Sequence, residues 1–439
     1  MAMNIINRIR AEFPALEQKM NGEQLIYLDS AATSQKPKSV LSLMEEMAGR
    51  TNANVHRAMY ALSDKATELY ETAREVVREF INAPARENII FTSGTTASIN
   101  LVADSFCRTF LKANDAIIIA ADSHHSNIVP WQLAAQRAGA EIRVLPISTE
   151  PTQGRGFTAH LLIEELENLI DEKVKIVAVT HVSNITGLVN QVERVIEIAH
   201  RHNIPVVVDG AQGIVHQAVD VQKMGCDFYA FSAHKIYGAT GAGVLYGKRE
   251  LLEQMPPYMG GGDMVETVTY QKTTYAPLPL KFEAGTPNFI GAASLAPALE
   301  YAKWLKDGIV QSVDGESVRV CDVVEAEQKK ITEYLTEALF NEVGDVQLYG
   351  FEKSADASTR VKKELPLFTF NIKGANAGDL AQLLDKMGVA VRSGLMCAEP
   401  LLNSLGATGA LRASFAPYNT LAEAKKFIAC LRRAKQMVL

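Results

Sequence analysis

The chain has 439 residues, 47% hydrophobic and 21% charged, with a formal net charge of −6 from 44 basic and 50 acidic side chains. At ~150 residues per domain the length allows two or three domains, and the composition excludes disordered, collagen-like and disulfide-scaffold chains. The charge balance gives no general attraction to nucleic acid or to an anionic membrane. The opening residues, MAMNIINRIRAEFPAL, are interrupted by Arg8, Arg10 and Glu12 and read as no export signal. They could pack on either half of the molecule. Residues 85–250 then alternate short apolar runs with amphipathic stretches. The runs are 88–92 (NIIFT), 116–120 (AIIIA), 142–145 (IRVL), 175–180 (KIVAVT), 204–209 (IPVVVD), 227–232 (DFYAFS) and 243–246 (GVLY). Rich in Val, Ile and aromatics, they read as strands buried on both faces. Between them Val192, Val195, Ile196 and Ala199 fall at helical spacing, and His200, Arg201 and His202 suit the last turn of that helix. This alternation predicts a mostly parallel α/β sheet. Past residue 300 the pattern changes to a charged helix over about 315–341, a strand at 366–372, a helix near 378–387 and a short strand at 389–392. A last helix opens at Thr420, with Glu423 at capping-box spacing. Helices beside a few strands suggest a smaller α+β domain. No run of about 18 apolar residues occurs, so no membrane span is expected. The five cysteines form no CxxC pair, which argues against structural zinc or a disulfide framework and fits a reducing cytoplasm.

Three segments carry chemistry. In FSAHKIYG (231–238) Lys235 follows a buried-looking strand. A partly desolvated lysine has a depressed pKa and can form a Schiff base, and Ser232 and His234 could hold a phosphate beside it. The plainer reading is a solvated loop lysine. In IPVVVDGAQ (204–212) Asp209 ends an apolar strand, where open α/β sheets form their ligand crevice. It could pair with a protonated ring nitrogen, or merely cap a helix. In FTSGTTASIN (91–100) a strand runs through a Gly-Thr-Thr turn into a helix. Free N–H groups and the hydroxyls of Thr95 and Thr96 could cradle a phosphate, or either threonine could be an N-cap. The glycines of 238–243 (GATGAG) and 260–262 read as tight turns.

Taken together, these segments make the chain resemble the cysteine desulfurases of the aminotransferase class V group, closest to the SUF-type (group II) branch with its selenocysteine lyase-like enzymes. The matching motifs are YLDSAATSQKP (27–37), NVHRAM (54–59), HHSNIVPWQ (124–132), THVSNITG (180–187), VDGAQ (208–212), SAHKIYGATG (232–241), FEAGTPN (282–288) and RASFAPYNT (412–420). The resemblance implies a fold-type I transferase dependent on pyridoxal phosphate. It divides the chain into a large cofactor-binding domain over 22–298 and a small domain from 1–21 and 299–439 that carries the catalytic cysteine loop. It implies that Lys235 forms the Schiff base and shuttles protons, that Asp209 keeps the ring nitrogen protonated, and that His124 stacks on the ring. Asn184 and Gln212 would bond the ring's 3′-oxygen side. Thr95 or Thr96, Ser232 and His234 would hold the phosphate. Thr286 would reach the phosphate of a neighbouring subunit in a homodimer. Arg412 would clamp the substrate carboxylate, with Asn184, His56 and Arg392 as further substrate contacts. Cys397, in RSGLMCAEP, sits at the nucleophile's place. It would take the sulfur of L-cysteine, releasing alanine and passing persulfide sulfur to an acceptor protein for iron–sulfur cluster assembly. The residues by themselves also allow plainer roles: Asn184 as a turn residue, His124 as a core histidine and Cys397 as a buried structural cysteine. The other four cysteines read as structural.

Some positions depart from the family pattern. Ser93 and Ala97 stand where an arginine and a glutamate are usual, Ala233 replaces a glycine, and Ser393, Gly394, Leu395 and Met396 replace Thr-Gly-His-His. Leu395 and Met396 make the cysteine loop more apolar, which predicts desolvation of the nucleophile and a slow or specialised enzyme. Selenocysteine lyase, another class V lyase and a non-enzymatic sulfur-relay scaffold are the competing expectations. No metal ion is expected.

Overall fold

The computed structural model describes residues 2–150, 156–311, 317–351, 363 and 365–439. Each expected apolar run becomes a strand: β1 (Ile89–Thr92), β2 (Ala116–Ala120), β3 (Glu141–Leu145), β4 (Val174–Thr180), β5 (Val206–Asp209), β6 (Phe228–Ser232) and β7 (Gly243–Gly247). They form one seven-stranded sheet in the order β1-β7-β6-β5-β4-β2-β3. Pairing is parallel except for β7, which runs antiparallel to both β6 and β1. Burial on both faces holds for β2, β5, β6 and β7. It fails for β3, where Val144 is 48% exposed. That strand lies at the sheet's edge with β2 as its partner, so half of its surface meets solvent.

The helices α1 (Ala2–Ala11), α2 (Ala61–Phe80), α3 (Thr95–Phe110), α4 (Val129–Ala138), α5 (Val192–Arg201) and α6 (Leu295–Asp307) accompany this sheet. α5 buries Val192, Val195, Ile196 and Ala199, the stripe its spacing predicts. Because β2, β4, β5 and β6 are parallel neighbours, their carboxyl ends open onto one edge. The segments after them bring Ser123–His124, His181, Asp209 and Ser232 to that edge.

The second sheet holds β8 (Val346–Tyr349), β9 (Leu367–Ile372), β10 (Arg392–Gly394) and β11 (Ala410–Ser414), ordered β10-β11-β9-β8, these four pairing antiparallel. The short strand Gly156–Phe157 adds to β8. Helices α7 (Val320–Ala338), α8 (Ala377–Lys386) and α9 (Leu421–Val438) contribute to its core with Leu335, Leu384 and Phe427. Thr420 caps α9, and Thr420 and Glu423 satisfy each other's backbone N–H at 3.2 and 2.9 Å. The helix expected over 315–341 starts at Val320; residues 315 and 316 lie outside the described residues. The strand expected at 389–392 divides. Val389–Ala390 pairs with Ile26–Tyr27, and only Arg392 onward joins β11.

The N-terminal segment packs with α7, whose Val320, Val323 and Val324 belong to the same cluster as its own apolar side chains. Ile5, Ile6, Ile9, Phe13 and Leu16 pack in the cluster of the large sheet, while Ile26 and Leu28 pack in that of the small one. Arg10 links the N-terminal segment to the small half through the Tyr418 carbonyl at 3.0 Å and Glu423 at 2.8 Å. Among the described residues no helix is long and apolar enough to cross a membrane.

Candidate active site

Every proposed site residue except His56 and Thr286 lines one cavity of about 310 Å³ at the carboxyl edge of the large sheet, closed by the small half. The volume lies in the range of small-molecule pockets.

At one end, β1 turns into α3 through Gly94. Its φ of 147° is closed to side chains, and a Cβ on Gly243 of β7 would lie 2.4 Å from the Gly94 Cα. Gly243 is therefore a close-approach residue inside a strand, not the turn glycine expected. Gly94 also occupies the N-cap, so Thr95 and Thr96 are the first helical residues and neither is a cap. With no side-chain cap at Gly94, α3 presents the positive end of its dipole to an anion, although its first N–H, on Thr95, already donates to Ser232 Oγ. The Ser232 hydroxyl lies 2.8 Å from both the Thr95 N–H and Thr95 Oγ1, and Thr96 Oγ1 lies 2.7 Å from Ser126 Oγ. His234 Nδ1 is buried without a partner. Burial, with Lys235 and Lys36 nearby, holds that ring neutral with a pKa of about 4. This donor set fits the phosphate of pyridoxal phosphate.

At the centre, β6 delivers Lys235 on the short turn Ala233–Lys235. Burial lowers the ammonium pKa to about 8; Arg412 and Arg392 push the same way, while Asp209 and Cys397 oppose. Asp209 is 3% exposed, at the end of β5. Its Oδ1 accepts from the Ala211 N–H at 2.9 Å, an Asx turn and not a helix cap, since Gln212 is the N-cap of Gly213–His216. Burial raises the carboxyl's pKa against the pull of that N–H and of Lys235. Its second oxygen fits a protonated ring nitrogen. His124 Nδ1 accepts from the Ser126 N–H at 3.1 Å, and burial together with Lys235, His125 and Arg412 lowers the ring's pKa to about 4. The neutral ring then carries its proton on Nε2. Gln212 already donates to the Ala31 carbonyl at 2.7 Å, and Asn184 to the Met396 carbonyl at 3.0 Å. Each amide has one further N–H to offer.

At the small-domain side, Asp29 joins the two arginines. Arg392 grips both its carboxylate oxygens, with Nε at 3.1 Å and NH2 at 2.8 Å, and Arg412 NH2 reaches it at 3.2 Å. Arg412 NH1 donates to the Asn184 carbonyl at 2.9 Å, while Nε is buried without a partner. Two guanidinium charges against one carboxylate leave a net positive site with a free donor, which suits an α-carboxylate.

Cys397 follows β10. Met396 and Cys397 have φ values of 49° and 54°, a left-handed kink that turns their side chains in different directions. Met396 packs into a cluster with Leu401, Leu402 and Ile185, while Cys397 alone of the five cysteines is exposed. The desolvation expected from Leu395 and Met396 is therefore not found. The loop is tied down by the His125 N–H to the Cys397 carbonyl at 2.7 Å, by Asn184 to Met396, and by the Glu399 N–H to His125 Nε2 at 3.2 Å.

His56 and Thr286 are not brought to this cavity. Both are exposed; His56 instead bonds Glu71 at 3.0 Å. Asp29 and His125 were missed as site residues, although both lie in the matched motifs YLDS and HHSN.

The Aminotransferase class-V family model matches residues 26–427. A probable cysteine desulfurase of Vibrio cholerae is 41% identical over 438 residues, covering 100% of both chains. A cysteine desulfurase of Pectobacterium carotovorum is 41% identical over 434 residues, covering 99% of this chain and 98% of that one. The crystal structure of the cysteine desulfurase CsdA from Escherichia coli superposes with a TM-score of 0.83 at 38% identity, covering 99% of each chain. The chain therefore belongs to the class-V aminotransferase family, whose cofactor is pyridoxal phosphate.

Proposed function

We propose that this chain is a cysteine desulfurase that converts L-cysteine to L-alanine and keeps the sulfur as a persulfide on Cys397. The observation that carries the reading is an exposed thiol on a pinned turn in the same cavity as a half-buried lysine. Bound pyridoxal phosphate supplies an electron sink next to the substrate α-carbon. The chain's residues do the rest. The donors around Thr95, Ser232 and His234 anchor the phosphate, and Asp209 pairs with the ring nitrogen. Arg412 Nε takes the substrate carboxylate and so fixes where the sulfur points. Lys235 Nζ holds the cofactor and moves protons, with His124 on the same wall. Cys397 Sγ forms the new S–S bond as the substrate's C–S bond breaks. The electron pair of that bond stays with carbon, and a proton completes alanine.

Cys397→Ala keeps the left-handed turn, since both residues carry the same Cβ. Alanine release from L-cysteine, assayed with a reductant that clears persulfide, then falls by about 10²-fold or more. Retained cysteine turnover in this variant would reject Cys397 as the nucleophile. Turnover of selenocysteine alone would mark the lyase reading.

The pinned loop also supports a short-range delivery of sulfur to an acceptor protein that comes to Cys397, for iron–sulfur cluster assembly in the cytoplasm. The compact stretch from Cys397 to β11 favours the SUF-type branch. His56 and Thr286 lie outside their own chain's cavity, which supports a homodimer in which they serve the neighbour's site. Sedimentation of the holoenzyme tests this: a monomer at working concentration refutes it.

A further inference from the structure

Two residues before His124, the chain places a second buried acid beside the site. Asp122 is 2% exposed, in the loop after β2. Its Oδ2 accepts from Asn190 Nδ2 at 2.7 Å, and the same nitrogen donates to the Thr180 carbonyl at 2.8 Å. Thr180 ends β4 and is the register partner of Asp209 on β5, and the His181 N–H that follows donates to the Asp209 carbonyl at 2.9 Å. Asp122 is thus joined through one asparagine to the strand end that flanks Asp209. Its other oxygen, Oδ1, is buried with no partner, as are the hydroxyls of Ser123 and Thr180. A purely structural carboxylate satisfies both oxygens when it is buried, because a bare charged oxygen is costly.

We propose that Asp122 is a positioning acid behind Asp209, whose ionisation adds negative charge at the ring-nitrogen end of the cavity and tightens the hold on a protonated cofactor ring. The inference rests on the reading that Asp209 faces that nitrogen. The surrounding elements fix the sign. Burial raises the Asp122 pKa to about 6; its hydrogen bonds to Asn190 and to its own backbone oppose this, and the Asp209 charge adds to it. Asp209 is the charged group acting on it. The other titratable groups beside it are His124 and His125 in its own loop and His181 at the end of β4; burial holds His124 and His181 neutral with pKa values of about 4. Lys235 acts on Asp209 and favours its charged form. With Asp209 charged, Asp122 loses its proton as pH rises past about 6. A cationic ring gains from that second charge above this pH and not below it.

The test is the dissociation constant of pyridoxal phosphate for apo-protein, read by absorbance titration at about pH 5 and about pH 7.5, either side of the Asp122 pKa. Asp122→Asn keeps an acceptor for Asn190. The expected result is affinity equal to the unmutated chain at the lower pH and about threefold to tenfold weaker at the higher one. Equal affinity at both values, or equal weakening at both, overturns the inference; the second outcome would leave Asp122 a merely structural part. Asp209→Asn is run alongside. If it weakens binding at both pH values while Asp122→Asn does not respond to pH, Asp122 has no such role and the Asp209 reading stands. If Asp209→Asn binds like the unmutated chain, both readings fall. Asn190→Ala gives a second approach should Asp122→Asn not fold. Loss of that hydrogen bond moves the midpoint of the affinity change to higher pH, and an unmoved midpoint overturns the inference.

Discussion

Lys235→Ala lowers alanine release by about 10³-fold or more, while the protein keeps its sheet and its melting profile. Nothing in the core depends on Lys235; it sits on a short turn and is half-buried in the cavity. Its chemistry depends on the environment that lowers its pKa to about 8. Desolvation is the main cause, with Arg412 and Arg392 adding to it. A solvated lysine titrates near 10.4, so at pH 7 the reactive neutral amine is enriched about 10²-fold here. The sign follows directly. A lowered lysine pKa means the amine is protonated below about pH 8 and neutral above it. Capture of pyridoxal phosphate by apo-protein should therefore accelerate as pH rises to about 8 and then level off. Lys235→Arg separates charge from proton transfer. Arginine keeps the positive charge and never offers a neutral amine, so it is expected to be as inactive as alanine. Stopped-flow capture rates and single-turnover alanine formation read both effects. An alanine variant with a tenth of the unmutated turnover would remove Lys235 from the chemistry.

The sequence was most legible where a local pattern decides the structure. Strands β2, β5 and β6 are continuous apolar runs because both their faces are covered, and their ends could be read to within a residue or two. The cap of α9 was legible because Thr420 and Glu423 satisfy each other over one turn. Local pattern failed where the outcome depends on distant partners. The exposure of β3 follows from strand order, which no five-residue window contains. Thr95 and Thr96 look like caps by residue type, but Gly94 takes the cap position because β7 presses against it at Gly243. The arginine clamp was half visible. Arg412 and Arg392 were expected, but Asp29 lies more than 360 residues away in sequence and carries no local mark of its role. Leu395 and Met396 were expected to desolvate Cys397, yet a left-handed pair of residues separates its side chain from that of Met396.

Arg74→Ala destabilises the protein by about 3–5 kcal/mol, the largest effect expected of a single side chain distant from the cavity. Arg74 is 1% exposed and sits in α2 between two carboxylates and two rings. Its NH1 and NH2 reach both oxygens of Glu283 at 2.7 and 3.0 Å, NH1 also donates to the Ile89 carbonyl at 2.8 Å, and Nε reaches Glu71 at 3.1 Å. The guanidinium lies over Phe91, 4.5 Å from the ring centroid. Burial by itself would lower its pKa, but Glu283 overrides this and keeps it charged. Glu283 in turn accepts from the Phe91 N–H at 2.7 Å and from Tyr70 Oη at 2.8 Å. The network therefore fastens three segments: α2, strand β1, and the stretch that runs from Glu283 to Thr286. Strand β1 leads directly into the phosphate cradle, so the clamp holds that cradle against β7. Removing the arginine leaves a buried carboxylate without its counter-charge, and most of the cost arises there. Glu283→Gln keeps an acceptor for the Phe91 N–H but leaves the arginine charge with Glu71 as its one carboxylate partner. Arg74→Met combined with Glu283→Gln leaves no charge uncompensated between the two positions, and is expected to cost less than the sum of the single changes. A urea denaturation series on the apo-protein reads the three values. Loss of less than about 1 kcal/mol in Arg74→Ala, or strict additivity in the double variant, would show that the pair is not the clamp its geometry describes.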